Sequence, residues 1–346
     1  MAIPFDPDRL EIHGSPMPVL EDVASAPVYG VGEFDVSPSG TLAYFSASAA
    51  AKSVENTLVW RNRQGEVQPV GLKPAIYQAP RLSPDGRLLA VAMQGRETEI
   101  WIYDLERGTM RRMTFGPGED EVPVWSPDGK RIAYSANGRQ QAFCFTVDGS
   151  GPEEPLMSRT NHFHLYSWSP DGKFIAFESG LVGEFEIWIL PMFGDRKPYP
   201  YLQNAFNSRT PVFSPDGKWL AYSSNESRQF QIYVQRFPGP GERVQVSAAG
   251  GITPVWERDG RALFFLNGRT LMKAAVLTEP TLSAGKPREL FETGVNLTAV
   301  HTHYDVSPDG NKFVIVEGGD ANASNPLHTV LNWGTELSKR IASSSR

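Results

Sequence analysis

A four-residue phrase recurs along this chain at a nearly constant spacing, and that spacing restricts what the chain can fold into. Ser-Pro-Asp-Gly stands at 83–86, 126–129, 169–172, 214–217 and 307–310, with looser copies at Ser37-Pro38-Ser39-Gly40 and Glu257-Arg258-Asp259-Gly260. The seven copies begin 46, 43, 43, 45, 43 and 50 residues apart. An apolar residue precedes each one (Val36, Leu82, Trp125, Trp168, Phe213, Trp256, Val306), and apolar runs such as Ile132-Ala133-Tyr134, Ile175-Ala176-Phe177 and Leu263-Phe264-Phe265 follow. Proline presets φ for the second position of a type I turn, aspartate accepts a bond from its own backbone at the third, and glycine takes the left-handed conformation that follows. Such a turn closes a short antiparallel hairpin. Repeats of roughly 40–45 residues built from short strands mark a β-propeller.

The expected fold is therefore all-β: a seven-bladed propeller, preferred over a six-bladed one, of four-stranded antiparallel blades, filling 1–346 as a single domain. The inner strand of each repeat ends at the turn and the second follows it. Third strands are expected at Leu58-Val59-Trp60, Ile100 to Tyr103, Phe143 to Phe145, Ile187 to Ile189 and Ile232 to Val234. Short fourth strands are expected at Val67 to Val70, Met110 to Met113, Tyr199 to Leu202 and Val244 to Val246. Met1–Glu21 aligns without gaps on Met272–Glu292, so the last blade is expected to combine both termini, which removes two sheet edges. Thr329 to Trp333 competes for the same third-strand place. The chain also reads as a fragment that begins partway through a blade. Only Thr335 to Ile341 suggests a helical turn.

Composition narrows the function classes. With 346 residues, 40% hydrophobic and 21% charged, the chain has material for a core. A net charge of −6 without a basic tract argues against nucleic acid. No run of about 18 apolar residues suggests membrane insertion. The opening Met1-Ala2-Ile3-Pro4-Phe5-Asp6 lacks the basic and apolar regions of a signal peptide. Cys144 is alone and lies in a strand pattern, where it reads as a buried apolar residue.

The repeats resemble those of the TolB-like propeller family, in which a strand, Ser-Pro-Asp-Gly and an Ile-Ala-Tyr/Phe strand follow one another. The resemblance runs from about 30 to 317, with the copy at Glu257-Arg258 degenerate. Pro4-Phe5-Asp6, Tyr304 to Gly310 and Val330-Leu331-Asn332-Trp333 are similar to phrases in propellers fused behind bacterial serine/threonine kinase domains. That resemblance implies a sensing or scaffolding module, often outside the cytoplasm, with a kinase domain fused or missing upstream. No kinase motif and no Gly-x-Ser-x-Gly elbow occurs in the chain itself.

Counting back four to seven residues from each turn gives the loops that enter the inner strands and rim one channel mouth. They carry Glu33, Tyr77, Gln78, Glu119, Asp120, Glu121, His162, His164, Arg209, His301 and His303. Arg228 lies in a loop expected at the same mouth and pairs with Arg209 as a candidate carboxylate clamp. Glu119-Asp120-Glu121 reads first as a solvated loop. The expected role is non-catalytic binding of a protein, peptide or small polar ligand, with no cofactor. The alternative is a divalent metal held by His164, His301 and His303, as in uronate-polysaccharide lyases that resemble this plan through a His-x-His pair. Trp125, Trp168 and Trp256 are expected to pack between blades, and each turn aspartate to form its turn.

Overall fold

A computed structural model describes residues 3, 5–13, 15–16, 19–20, 23, 25–26, 31–32, 34–45, 55–181, 183–203, 205–239, 241–295, 302–318 and 327–344. The chain divides into two compact units, 1–54 with 320–346 and 55–319, where the repeats had pointed to one.

The larger unit holds six blades. Blade 1 (Ile76–Leu82, Leu88–Gln94, Thr98–Asp104, Thr109–Arg112) follows the turn phrase at 83. Blades 2, 3 and 4 repeat the plan around the phrases at 126, 169 and 214, with inner strands Asp120–Trp125, His162–Trp168 and Ser208–Phe213. Blade 5 begins with Ile252–Trp256 and ends with Arg288–Glu292 paired to Thr270–Leu277. Blade 6 is composite: Tyr304–Val306 and Lys312–Glu317 are completed by Thr57–Asn62 and Val67–Pro69.

The six blades close on one another. Each junction carries a hydrogen bond between neighbouring blades: Trp125 Nε1 to Arg81 O, Leu165 N to Ser135 Oγ, Phe213 N to Ser167 Oγ, Trp256 Nε1 to Val212 O, Tyr304 Oη to Thr253 O, and Leu82 N to Asp305 Oδ2. Each junction also has its own apolar cluster. Leu58, Val314 and Val316 of blade 6, for example, pack with Leu82, Leu89 and Val91 of blade 1, and Phe264 of blade 5 packs with Phe313 of blade 6. Alternation of side chains along each strand supplies both faces of a blade, so every blade buries one face on each neighbour.

This closure corrects two expectations. Six turn phrases, not seven, belong to the ring. The missing strands of the last blade come from Thr57–Asn62 and Val67–Pro69, not from Met1–Glu21. Val314 pairs with Trp60 and Glu317 with Thr57 in that register. Arg61 reaches Glu317, and Arg63 binds both Glu257 and Gly310 O, so two ion pairs select this partner strand beyond its apolar pattern. In the smaller unit, the hairpin around Ser37-Pro38-Ser39-Gly40 takes Leu327–Val330 as its third strand, and an α-helix runs from Trp333 to Ser344, longer than the turn expected there.

The turn phrase does what its residues dictate. In blade 1, Gly86 N donates to Ser83 O, Ser83 Oγ donates to Asp85 Oδ1 and Arg87 N donates to the same oxygen. The serine oxygen in turn accepts Leu88 N. The glycines sit at φ between 69° and 74° in the five Ser-Pro-Asp-Gly copies. A second repeated feature was not visible in the sequence. Inner strands of blades 1 to 5 carry a register shift in the middle. In four of them a non-glycine residue there takes positive φ: Ala79 46°, Val122 48°, Thr210 52° and Thr253 52°. This is a β-bulge, and left-handed backbone at β-branched residues is strained. The bulge re-aims the residues before it, which are those of the candidate site.

Candidate functional site

His162 and His164 lie two apart on the inner strand of blade 3, so their side chains leave the same face. Their Nε2 atoms are 3.1 Å apart. Glu121, from the inner strand of blade 2, places Oε2 3.3 Å from His164 Nε2 and accepts Asn137 Nδ2 at 2.7 Å. Behind His164, its Nδ1 meets Glu178 Oε1 at 3.1 Å. Glu178 is fully buried on the second strand of blade 3. It also accepts Tyr166 Oη at 3.2 Å, Arg209 Nη2 at 2.8 Å and the backbone N–H of Thr210 at 3.0 Å. The last two come from blade 4, where the strained bulge at Thr210 faces its N–H toward the carboxylate. Blades 3 and 4 thus converge on one glutamate, and blade 2 joins the cluster through Glu121 on His164.

The charges are strongly coupled. Burial opposes ionisation of Glu178, but Arg209 and His164 outweigh it and hold the carboxyl at about 2. Burial likewise opposes a charged His164, but its contacts with Glu121 and Glu178 outweigh that and raise it to about 9. Two carboxylates around one imidazole call for positive charge at Nε2. Next door, Asp120 is buried against Arg139 Nη2 at 2.9 Å, and burial lifts its carboxyl despite that partner.

The structure gathers only part of the expected mouth. Glu121, His162, His164 and Arg209 come together. Asp120 and Glu121 are buried, so the acidic run is not a solvated loop. Only Glu119 is exposed there. Arg209 is committed to Glu178 and lies over the Phe185 ring, while Arg228 is exposed in its loop, so the two do not form the expected clamp. Tyr77 is buried in the junction with blade 6 and donates its hydroxyl to Lys73 O. Gln78 pairs with Ala92 within blade 1. His303 sits buried on blade 6, with two blades between it and blade 3 in either direction, so His164 and His303 cannot share one ion. Glu33 and His301 lie outside the described residues. Glu178 and Tyr166 were missed, although a glutamate directly after the apolar run Phe174-Ile175-Ala176-Phe177 was a readable sign of a buried charge.

A cavity of about 450 Å³ lies at the other end of the inner strands, among the turns. All six blades line it. Where other turns contribute Pro84, Pro127, Pro170 and Pro215, the degenerate fifth copy contributes Arg258. Arg81 and Asp305 occupy one repeat position, two residues before the turn, in blades 1 and 6. Tyr166 lines this cavity and donates to Glu178, so it stands between the cavity and the histidine cluster. Trp125 and Trp256 bond back to the preceding blade, and Trp168 lies under Arg131 of blade 2, so the tryptophans pack between blades as expected.

Residues 35–194 match the family model described as the TolB beta propeller domain. The fold is that of a TolB-like β-propeller. Among solved structures, a putative TolB from Agrobacterium tumefaciens is 21% identical, covers 77% of this chain and 98% of its own, and superposes with a TM-score of 0.63. TolB from Acinetobacter baumannii is 18% identical over 69% of this chain and 67% of its own, with a TM-score of 0.52. A nidogen/laminin complex contains a chain 11% identical over 67% of this one and 94% of its own, with a TM-score of 0.50. No curated protein matches the sequence. No helix among the described residues of this propeller is long and apolar enough to cross a membrane.

Proposed function

We propose that this propeller is a non-catalytic binding module whose turn-end cavity takes an acidic segment of a protein or peptide partner. One observation carries the reading. The cavity is built by all six blades, and at the one turn that departs from the repeat, proline gives way to Arg258. Arg81 adds a second guanidinium, and Asp305 is the carboxylate that faces them. A guanidinium presents a planar fork suited to a carboxylate. The net charge of −6 makes this local positive site unlike the chain as a whole. Solved complexes such as nidogen/laminin support a protein partner for this fold. A rigid ring presenting variable residues at its mouth is a common way to bind one.

The test is a display selection of random peptides on the purified protein, followed by anisotropy titration. Peptides rich in Asp, Glu or a terminal carboxylate are expected, with affinity reduced at least about tenfold in Arg258→Glu. Enriched peptides that lack acidic groups, or that bind Arg258→Glu equally well, would remove the basis for this reading.

A further inference from the structure

We propose that Glu121, His162 and His164 form a binding site for one divalent transition-metal ion of the zinc type. The site is separate from the turn-end cavity and does not depend on what that cavity binds. One ligand atom from each of the three residues lies within 4.8 Å of the others. The spacing is the informative part. A tetrahedral ion with bonds of about 2.0–2.2 Å places its ligands roughly 3.3 Å apart. His162 Nε2 to His164 Nε2 is 3.1 Å, and His164 Nε2 to Glu121 Oε2 is 3.3 Å. Both rings present the same nitrogen to the common point.

The surroundings fit a metal better than a chance cluster. Glu178 accepts from His164 Nδ1 at 3.1 Å, which fixes that proton and turns Nε2, the position where the two carboxylates favour positive charge, toward the site. Glu178 is itself held by Arg209, Tyr166 and Thr210 N, so the orienting group is rigid. Asn137 Nδ2 donates to the same Glu121 oxygen at 2.7 Å and fixes the carboxylate in place, leaving that oxygen's second lone pair for an ion. Two imidazoles and a carboxylate suit zinc or its neighbours, and not magnesium or calcium. Three protein ligands leave a fourth position for water or a bound group. The bulges of blades 2 and 3 set this geometry, since they shift the register between Glu121 and Val124 and between Leu165 and Ser167.

The experiment uses the full chain without a polyhistidine tag, stripped with a chelator, then titrated with ZnCl₂ by calorimetry and read for bound metal by elemental analysis. One zinc per chain is expected. His162→Ala, at a half-buried position, is expected to weaken binding at least about 100-fold while the metal-free melting temperature stays near the parent's. Glu178→Gln should weaken it about 10- to 100-fold by releasing His164, the loss typical of a group that orients a ligand. His328→Ala, at an exposed histidine in the smaller unit, should change nothing. Cobalt in place of zinc should give the visible absorption of a tetrahedral site, absent in His162→Ala. A parent protein that retains no stoichiometric zinc, or a His162→Ala variant that binds as the parent does, overturns the proposal and leaves a protonated His164 between two carboxylates.

Discussion

Glu178→Gln is the most revealing single change in this protein. The carboxylate is fully buried and accepts from Arg209, Thr210 N, His164 and Tyr166 at 2.8 to 3.2 Å. The amide keeps the shape and one acceptor oxygen but removes the negative charge and turns two donors toward donors. Removing one partner of a buried ion pair costs about 3–5 kcal/mol. Glutamine retains part of the hydrogen bonding, which places the loss near the lower end, at about 3 kcal/mol. In a domain of this size that amounts to a fall in melting temperature of roughly 6–12 °C. Urea unfolding followed by tryptophan fluorescence is the assay, with a lower midpoint and an unchanged slope expected. Arg209→Met alone should also destabilise, and the double variant should lose less than the sum by at least about 1 kcal/mol, because the two act as a pair. A Glu178→Gln loss under about 1 kcal/mol, or additive losses, would refute the idea that this glutamate ties blades 3 and 4 together.

Two further outcomes follow from the turns. Gly86→Ala and Gly172→Ala both force alanine into positive φ, at 74° in each case, but an added Cβ would lie 2.9 Å from Pro308 at Gly86 and meets nothing within 4 Å at Gly172. Denaturation midpoints should therefore fall for both and further for Gly86→Ala; equal losses would mean that the contact between blades 6 and 1 is slack. The carboxyls of Asp85, Asp128 and Asp309 lie below their usual range, chiefly through the serine hydroxyl two residues earlier, and Asp171 is also lowered although burial works against it. Folded values below the unfolded value of about 3.9 mean that this stabilisation is complete above that pH and is lost as pH falls through the folded values. The urea midpoint should drop below about pH 4, and the drop should shrink in Asp85→Asn/Asp128→Asn/Asp309→Asn; an unchanged pH slope in that variant would contradict it.

Counting back from the turns found Glu121, His162, His164 and Arg209, since a strand of fixed rise keeps a repeat position at a fixed depth in every blade. The same count promised His303 as a partner, and a loop expected at the same mouth promised Arg228 as a clamp with Arg209. Both failed for one reason: depth along a strand does not say which blade stands opposite or which neighbour has already claimed a side chain. His303 lies across the ring, and Arg209 belongs to Glu178. Glu178 escaped because it lies on a second strand, outside the register being counted.

By itself the sequence determined the hairpins, the four-strand repeat and the propeller, because Pro, Asp and Gly act on their own backbone and apolar alternation acts over a few residues. Only the tertiary structure decided how the ring closes and where the charged cluster forms. Lys312–Glu317 pairs with Thr57–Asn62 across about 255 residues, and any strand with a period-two apolar pattern would satisfy that face on sequence alone. The choice fell to Arg61 with Glu317 and Arg63 with Glu257, contacts that exist only once the blades are in place. The bulges at Val122 and Thr210 are likewise imposed by the ring, since neither residue favours positive φ. The bulge at Val122 directly follows Glu121, which reaches His164, and the bulge at Thr210 turns its N–H to Glu178 behind the same imidazole, so the cluster exists only once blades 2, 3 and 4 stand side by side.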